Sequence, residues 1–324
     1  MRIAVDAMGG DNAPAQVLQG ATEAAADYGI EIVVVGSPSV VQPLLDQHPR
    51  LTMCPSTQVV AMDEHPAQAV RSKPDSSMAV CARLVKEGKA DGWMSAGNSG
   101  AIMATALFIQ GRIKGVERPA LGSIVPIKNG FAYFLDVGAN VDSKPEYMVQ
   151  FATMGAIYAR EMLGRKDPRV ALLSNGEEEG KGDELVKETA RRLKISLRGF
   201  VGNVEPKDLY AGKADVIVAD GFVGNIAIKM AEATADFLFR SLREEIPRTL
   251  TGKLGGVLIR DGVRRLRRSI DWREFGGAPL LGIDGVAVVA HGRSDARAVK
   301  NAIRVTKEAV ENQLVRKIRA EVGK

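Results

Sequence analysis

Short β-branched runs alternate with longer stretches of mixed apolar and polar residues through the N-terminal half of the chain. Ile3–Val5 precedes a helix-like stretch from Ala15 to Tyr28, and Ile32–Val35 precedes another from Val40 to Gln47, the rhythm of βαβ units. Further strands are expected at Gly92–Met94, Leu121–Ile127, Phe131–Leu135, Val170–Leu173, Val216–Ala219 and Val286–Ala290. Several are nearly continuous apolar runs, as in a parallel sheet covered by helices on both faces. Long helices are expected at Pro145–Leu163, Glu184–Leu193, Asn225–Ile246 and Ser294–Val322. In the last, Ser294 is placed to cap the N-terminus, and Val299, Ile303, Val310, Leu314 and Ile318 form an apolar stripe for the core or a partner subunit. No linker rich in Pro, Gly or Ser and no fixed-period repeat interrupts the pattern, so residues 1–324 are expected to form a single compact α/β unit with two lobes.

The length of 324 residues is about twice a typical domain of roughly 150, which one large α/β unit accommodates. Cys54 and Cys81 are the two cysteines and form no C-x-x-C pair, which speaks against a zinc site or a disulfide framework and for a reducing cytosol. The N-terminus meets Asp6, Gly9 and Gly10 too early for a signal peptide, and no run of about 18 apolar residues suggests a membrane span. Subtracting 39 acidic from 44 basic side chains leaves +5. The excess concentrates at Arg260, Arg264, Arg265, Arg267, Arg268 and Arg273, opposed locally by Asp261 and Asp271. Val263, Leu266 and Ile270 recur among these arginines, so 250–273 reads as a basic amphipathic segment, weakened as a helix by Gly255, Gly256 and Gly262.

Five loops of small and polar residues follow the strands: Asp6–Asp11, Ser95–Gly100, Asp136–Asn140, Ser174–Glu177 and Asp220–Asn225. Each alone is ordinary turn chemistry. Together they mark the crevice outside the carboxyl ends of a parallel sheet. Ser99-Gly100 and Asn225 stand before helical stretches, and a helix start offers backbone N–H groups and a positive dipole end to phosphate. Gly176–Gly182 is one residue short of a nucleotide P-loop and has Gly182 where Ser or Thr is needed; no dinucleotide turn or G-x-S-x-G elbow occurs. His48, His65 and His291 lack metal-binding spacing, and His291, at the end of an apolar run, either serves the crevice or caps the next helix.

Taken together, Asp6–Asp11, Ser72–Met78, Ser95–Ala101, Leu173–Glu178, Asp220–Asn225 and Gly276–Gly282 closely resemble the bacterial phosphate acyltransferases, almost from end to end. The chain departs from that pattern in having Ser99 where Thr is frequent, which keeps the hydroxyl, and Phe275 where Tyr is frequent, which removes one. The resemblance implies a three-layer α/β/α fold with a mainly parallel sheet, similar to isopropylmalate dehydrogenases and phosphate acetyltransferases. It also implies a homodimer, peripheral membrane association, and formation of acyl phosphate from a long-chain acyl-acyl carrier protein and inorganic phosphate.

Phosphate is already a nucleophile and a thiolate a good leaving group, so positioning and oxyanion stabilisation suffice without a covalent intermediate. The resemblance places Lys181 and Asn225 nearest the reacting centre, the lysine to neutralise phosphate and the asparagine to donate to the oxyanion. A solvated Lys181 in an acidic loop is the plainer alternative. Gly97, Asn98, Ser99 and Gly100 are expected to cradle phosphate, with Asn140, Asn175, Asp220 and His291 completing the substrate site; Asp6, Asp11, Asp136 and Asp220 orient loops or donors. No cofactor and no metal is expected. The arginines of 254–273 suit an anionic membrane, an acidic acyl carrier protein or a partner subunit. Competing functions are a phosphate acetyltransferase acting on acyl-coenzyme A, a decarboxylating dehydrogenase and, from another class, a nucleic-acid-binding protein, though interleaved aromatics and a DNA-binding motif are missing.

Overall fold

The computed structural model describes residues 1–45, 48–128, 130–269 and 271–322. The first part of the chain forms β1 (Arg2–Asp6), α1 (Ala15–Tyr28), β2 (Glu31–Gly36), α2 (Pro38–Leu45), β3 (Leu51–Pro55), α3 (Pro66–Ser72), α4 (Ser77–Lys86), β4 (Gly92–Ser95) and α5 (Ser99–Ile109). The middle forms β5 (Ala120–Ile127), β6 (Gly130–Leu135), α6 (Pro145–Met162), β7 (Val170–Leu173), α7 (Glu184–Ser196), β8 (Phe200–Val204), β9 (Val216–Val218), α8 (Gly221–Glu245) and α9 (Leu250–Ser269). A short α10 (Trp272–Phe275), β10 (Ala278–Leu281), β11 (Val286–Val289), α11 (Ala296–Glu311) and α12 (Leu314–Val322) complete it. Asp46 and Gln47, at the expected end of the second helix, Ile270 of the expected amphipathic stripe, and residues 323 and 324 lie outside the described residues.

All strands join one sheet in the order β3-β2-β1-β4-β11-β10-β5-β6-β9-β7-β8. Seven neighbour pairs are parallel and three, all involving β10 or β5, are antiparallel, so the sheet is mainly parallel. The β10–β5–β6 ribbon reverses the strand direction between the two halves. From β4 to β7 there are six strand steps; at roughly 20–25° of twist per step they accumulate on the order of 120–150°, which turns most of that reversal back. The carboxyl ends of both halves consequently open onto one crevice.

Period-two alternation assigns side chains to the two faces. Ile3 and Val5 pack with α1 and α11, and Ala4 with α4 and α5. In the second half Tyr133, Leu135, Val170 and Leu172 pack under α6 and α12, while Phe134, Ala171, Leu173 and Ile217 face the other way, where Ala227 and Ile228 of α8 are their helical cover. That thinner cover leaves room for a cavity.

Several elements differ from the sequence expectation. The C-terminal helix is two helices, separated where Gln313 takes a left-handed φ of 53°. Neither glycine nor proline marks this break. Asp295, not Ser294, caps α11 by accepting from the Ala298 N–H; the Ser294 hydroxyl donates to the His291 carbonyl instead. Both helices bury their stripes in the core, through Val299 and Ile303 of α11 and Leu314 and Ile318 of α12. Helix α8 begins at Gly221 rather than Asn225, and α9 runs unbroken through Gly255, Gly256 and Gly262. Thr, Gly or Asn interrupts the apolar residues of β3 and β8, and β10 carries a proline, so none of the three stands out.

Candidate active site

A cavity of about 1160 Å³ opens where the ends of β4, β11, β7 and β9 converge, with α8 as its long wall. Ser99, Asn175, Asp220 and His291 of the expected set line it. Gly97, Asn98, Gly100, Asn140, Lys181 and Asn225 stand in the bordering loops and helix turns without contributing to its surface.

The loop after β4 is held from beneath by Asp6. Its buried carboxylate accepts from Met8 N–H at 3.0 Å and from the Ser95 hydroxyl at 2.6 Å, and the Ser95 oxygen in turn accepts from Gly97 N–H. Burial pushes the Asp6 carboxyl above its ordinary value, against the pull of Ser77 and Ser95. Gly9 is required here, because a Cβ would lie 2.7 Å from Asp6 and 2.8 Å from the Gly97 nitrogen. Asn98 caps α5, accepting from Ala101 N–H, while its amide donates to the carbonyls of Met62 and Glu64. Asn98 is thus occupied in building the loop. Its cap is uncharged, and the N–H groups of Ser99 and Gly100, first in the helix, have no acceptor within α5 itself.

The loop after β6 is organised around Asp136. One carboxylate oxygen accepts from the N–H groups of Leu121, Gly138 and Ala139, the other from Asn140 N–H and the Asn140 amide. The same Asn140 amide donates to the Pro119 carbonyl. Burial pushes the Asp136 carboxyl up, with the N–H donors opposing. The first turn of α8 presses onto this loop: a Cβ on Gly221 would meet the Asn140 carbonyl at 2.4 Å, and one on Gly224 the Asp136 carbonyl at 1.9 Å. Asn225 sits against Gly138, and Asp220 caps α8 by accepting from Phe222 and Val223 N–H.

Across the cavity, Asn175 accepts from Gly182 N–H at 2.9 Å, closing the acidic loop onto the start of α7, whose cap is Asp183. Lys181 is exposed on this loop, packing its stem against Gly176. Of the three helix starts at the cavity, α7 and α8 carry carboxylate caps and α5 a neutral one.

His291 is exposed at the rim, yet the protein around it pulls the imidazole below its ordinary value, chiefly by desolvation and further by Arg293, against Glu232 and Asp11. Arg293 N–H approaches Nδ1 at 3.4 Å, which favours the tautomer carrying its proton on Nε2. Because the folded value is depressed, the contribution of neutral His291 to stability is present above an unfolded pKa of about 6.5 and lost as pH falls toward the folded value. NMR titration of the ring is expected to give a midpoint below about 6.5, rising in Arg293→Ala; a wild-type midpoint at or above that value would contradict this.

The sequence reading missed much of the cavity wall. Ser123 to Pro126 of β5, the 206–210 turn and one face of α8 contribute, as does Phe275, set edge-on to Phe131 at 5.2 Å. The α8 positions 223, 226, 227, 230 and 231 recur at helical spacing and were legible as a stripe, though nothing marked it as a ligand surface. Among the described residues, no group of three or more His, Cys, Asp or Glu gathers as a metal site, and no helix is long and apolar enough to cross a membrane.

Hydroxyl, amide and imidazole groups at strand ends, opening directly into an apolar trough, define an α/β enzyme site suited to an amphiphilic substrate. The fold matches that of a phosphotransacetylase from Streptococcus pyogenes (TM-score 0.67, 17% identity, covering 96% of this chain and 94% of that one). It also matches a branched-chain phosphotransacylase from Enterococcus faecalis V583 (TM-score 0.61, 15% identity, 96% and 99% covered). The family model described as fatty acid synthesis protein matches residues 1–317. A phosphate acyltransferase of Desulfitobacterium hafniense strain Y51 is 47% identical over 326 residues, covering 99% of this chain and 97% of the relative. One of Dictyoglomus thermophilum is 47% identical over 324 residues, with 98% and 96% covered. The chain belongs to the phosphate acyltransferase family of fatty acid and phospholipid synthesis.

Proposed function

We propose that the enzyme transfers a long-chain acyl group from an acyl carrier protein thioester to inorganic phosphate. A phosphate oxygen attacks the thioester carbonyl, the tetrahedral oxyanion collapses, the C–S bond breaks, and the carrier leaves as a thiolate that takes up a proton; acyl phosphate remains. The observation that carries this reading is the meeting of a neutrally capped helix start, at Ser99, with a large apolar trough in one cavity. Anion and alkyl group are accommodated side by side. The N–H groups of Ser99 and Gly100 and the Ser99 hydroxyl form the phosphate cradle, on the loop that Gly97 and Asn98 build. Lys181, exposed on the loop that closes onto α7, is the cation assigned to neutralise phosphate, and Asn225, set against Gly138, donates to the oxyanion. Asn140 and Asp220 hold the loops behind that donor, while Asn175 and His291 bind at the rim. A phosphate acetyltransferase acting on a small acyl-coenzyme A would leave most of the trough empty, which favours the long-chain donor.

The arrangement of α8 and α9 supports the partner assignments. Leu250, Leu254, Val257 and Leu258 are exposed beside exposed Arg260, Arg264 and Arg265. Such a surface suits an anionic bilayer and an acidic carrier, and the exposed apolar residues of α8 and α9 suit a second copy of the chain. Arg273 is excluded from that surface, being tied to Asp271 at 2.6 Å and Asp295 at 3.1 Å. The side chains of Arg267 and Arg268 lie outside the described residues. The enzyme then works in the cytoplasm, partly at the membrane.

Incubating the protein with palmitoyl-acyl carrier protein and radioactive phosphate is expected to give labelled, hydroxylamine-sensitive acyl phosphate. Folded Lys181→Ala and Asn225→Ala variants should lose at least tenfold in kcat/KM. Undiminished variants would remove those two assignments; no product from an active donor would remove the reaction. In the same preparation, flotation with anionic but not neutral vesicles is the expected partner result, and equal flotation with both would count against the arginine surface.

A further inference from the structure

We propose that the apolar part of the cavity seats the alkyl chain of the acyl donor along α8, and that Ala231 and Ala235 set how long a chain fits. The proposal rests on the acyl-transfer reading of the same cavity and adds where the chain lies. Cavity-lining positions on α8 run from Val223, beside the Asp220 cap, to Leu238. The fifteen residue-to-residue steps between them span about 22 Å at 1.5 Å per step. An extended alkyl chain with C–C bonds of about 1.5 Å advances roughly 1.3 Å per carbon, so the wall matches about 17 carbons.

The trough is continuous with the polar end at Ser99, Asp220 and His291, so a chain lying in it carries its carbonyl to the strand ends. The opposite wall comes from Ser123, Val125 and Leu209, on the sheet face that α8 covers only in part. Ala227, Ala231 and Ala235 succeed one another at every fourth position and are half-buried, letting a ligand approach the helix axis closely where larger residues would fill the space. Chemistry also selects the occupant: beyond Ser123, Tyr210, Glu232 and Thr234 the trough wall is apolar, too few partners for the polar groups of a peptide or a sugar, whereas each buried methylene is worth roughly fourfold in affinity.

Two readouts test the assignment. In the first, kcat/KM is measured with acyl carrier protein thioesters of 8, 12 and 16 carbons. Ala231→Trp, and Ala235→Leu as a gentler second variant, should lose at least tenfold on the 16-carbon donor while staying within threefold on the 8-carbon donor. Ala233→Trp, on an exposed position off the cavity face, should leave all three unchanged. In the second, binding of a fluorescent 16-carbon fatty acid is measured without turnover and should weaken at least tenfold in the same two variants. Absence of acyl transfer with this binding pattern intact would remove the reaction and leave the chain site standing. Equal loss at all chain lengths, or wild-type protein that binds no fatty acid, would overturn the proposal. So would unchanged binding in an Ala231→Trp protein that has become monomeric, because that face would then belong to a second copy.

Discussion

Asp136→Ala is expected to lower stability by on the order of 3–5 kcal/mol, because it strips the acceptor from four half-buried backbone N–H groups and the Asn140 amide at once. The Asn225 amide, set against Gly138, is a single group and cannot replace five acceptances, and a cavity of a few atoms is too small to recruit water for every donor. Asp136→Asn should fall between the two, since it keeps the shape but turns one end of the carboxylate into a donor facing donors. Urea unfolding measures both. A loss below about 1 kcal/mol for the alanine variant would mean that the loop finds other partners and that the carboxylate is dispensable.

A methyl group at position 224 should be nearly as disruptive. The Cβ of Gly224→Ala would sit 1.9 Å from the Asp136 carbonyl oxygen and 3.0 Å from its carbon, both backbone atoms with no rotamer to retreat into. Helix α8 must therefore lift from the 136–140 loop, costing about 1–3 kcal/mol or more in overpacking. Because Asp220 and Asn225 ride on the same turn, kcat/KM should fall more than tenfold even where the protein stays folded. Gly255→Ala in α9 is the control: its Cβ meets nothing within 4 Å, and alanine is the better helix former by about 1 kcal/mol, so stability should hold or rise slightly. Equal behaviour of the two variants, in unfolding and in assay, would refute the close-packing account.

The two glycines also explain what could be read from the sequence. Asp220–Asn225 has the composition of a turn, whereas its glycines serve close approach within a helix that starts at Gly221, four residues before Asn225. Likewise Gly255, Gly256 and Gly262 weaken α9 intrinsically, yet do not interrupt it. The strands were legible because burial on both faces demands unbroken apolar runs, as at Val170–Leu173, and the polar loops because strand ends collect Gly, Asn, Asp and Ser. The roles of Asp136 and Asn98 were not legible, since a carboxylate or amide that ties a loop together is identical in sequence to one that meets a ligand. The apolar wall of the cavity was hidden for a related reason: Val125, Leu209 and Val223 look like any core residue until the thin cover over that sheet face is seen.

The position of β11 between β4 and β10 has a consequence for the timing of synthesis. β4 ends at Ser95, but the strand that completes its ladder starts at Val286. At 5–20 residues per second, a ribosome needs roughly 10–40 s to make the intervening chain. Through that interval the nascent protein carries an open, apolar sheet edge, while β6, β9, β7 and β8, with α6 and α7, come from consecutive sequence and have their partners to hand. Of the last helices to emerge, α11 closes the first half of the molecule and α12 the second.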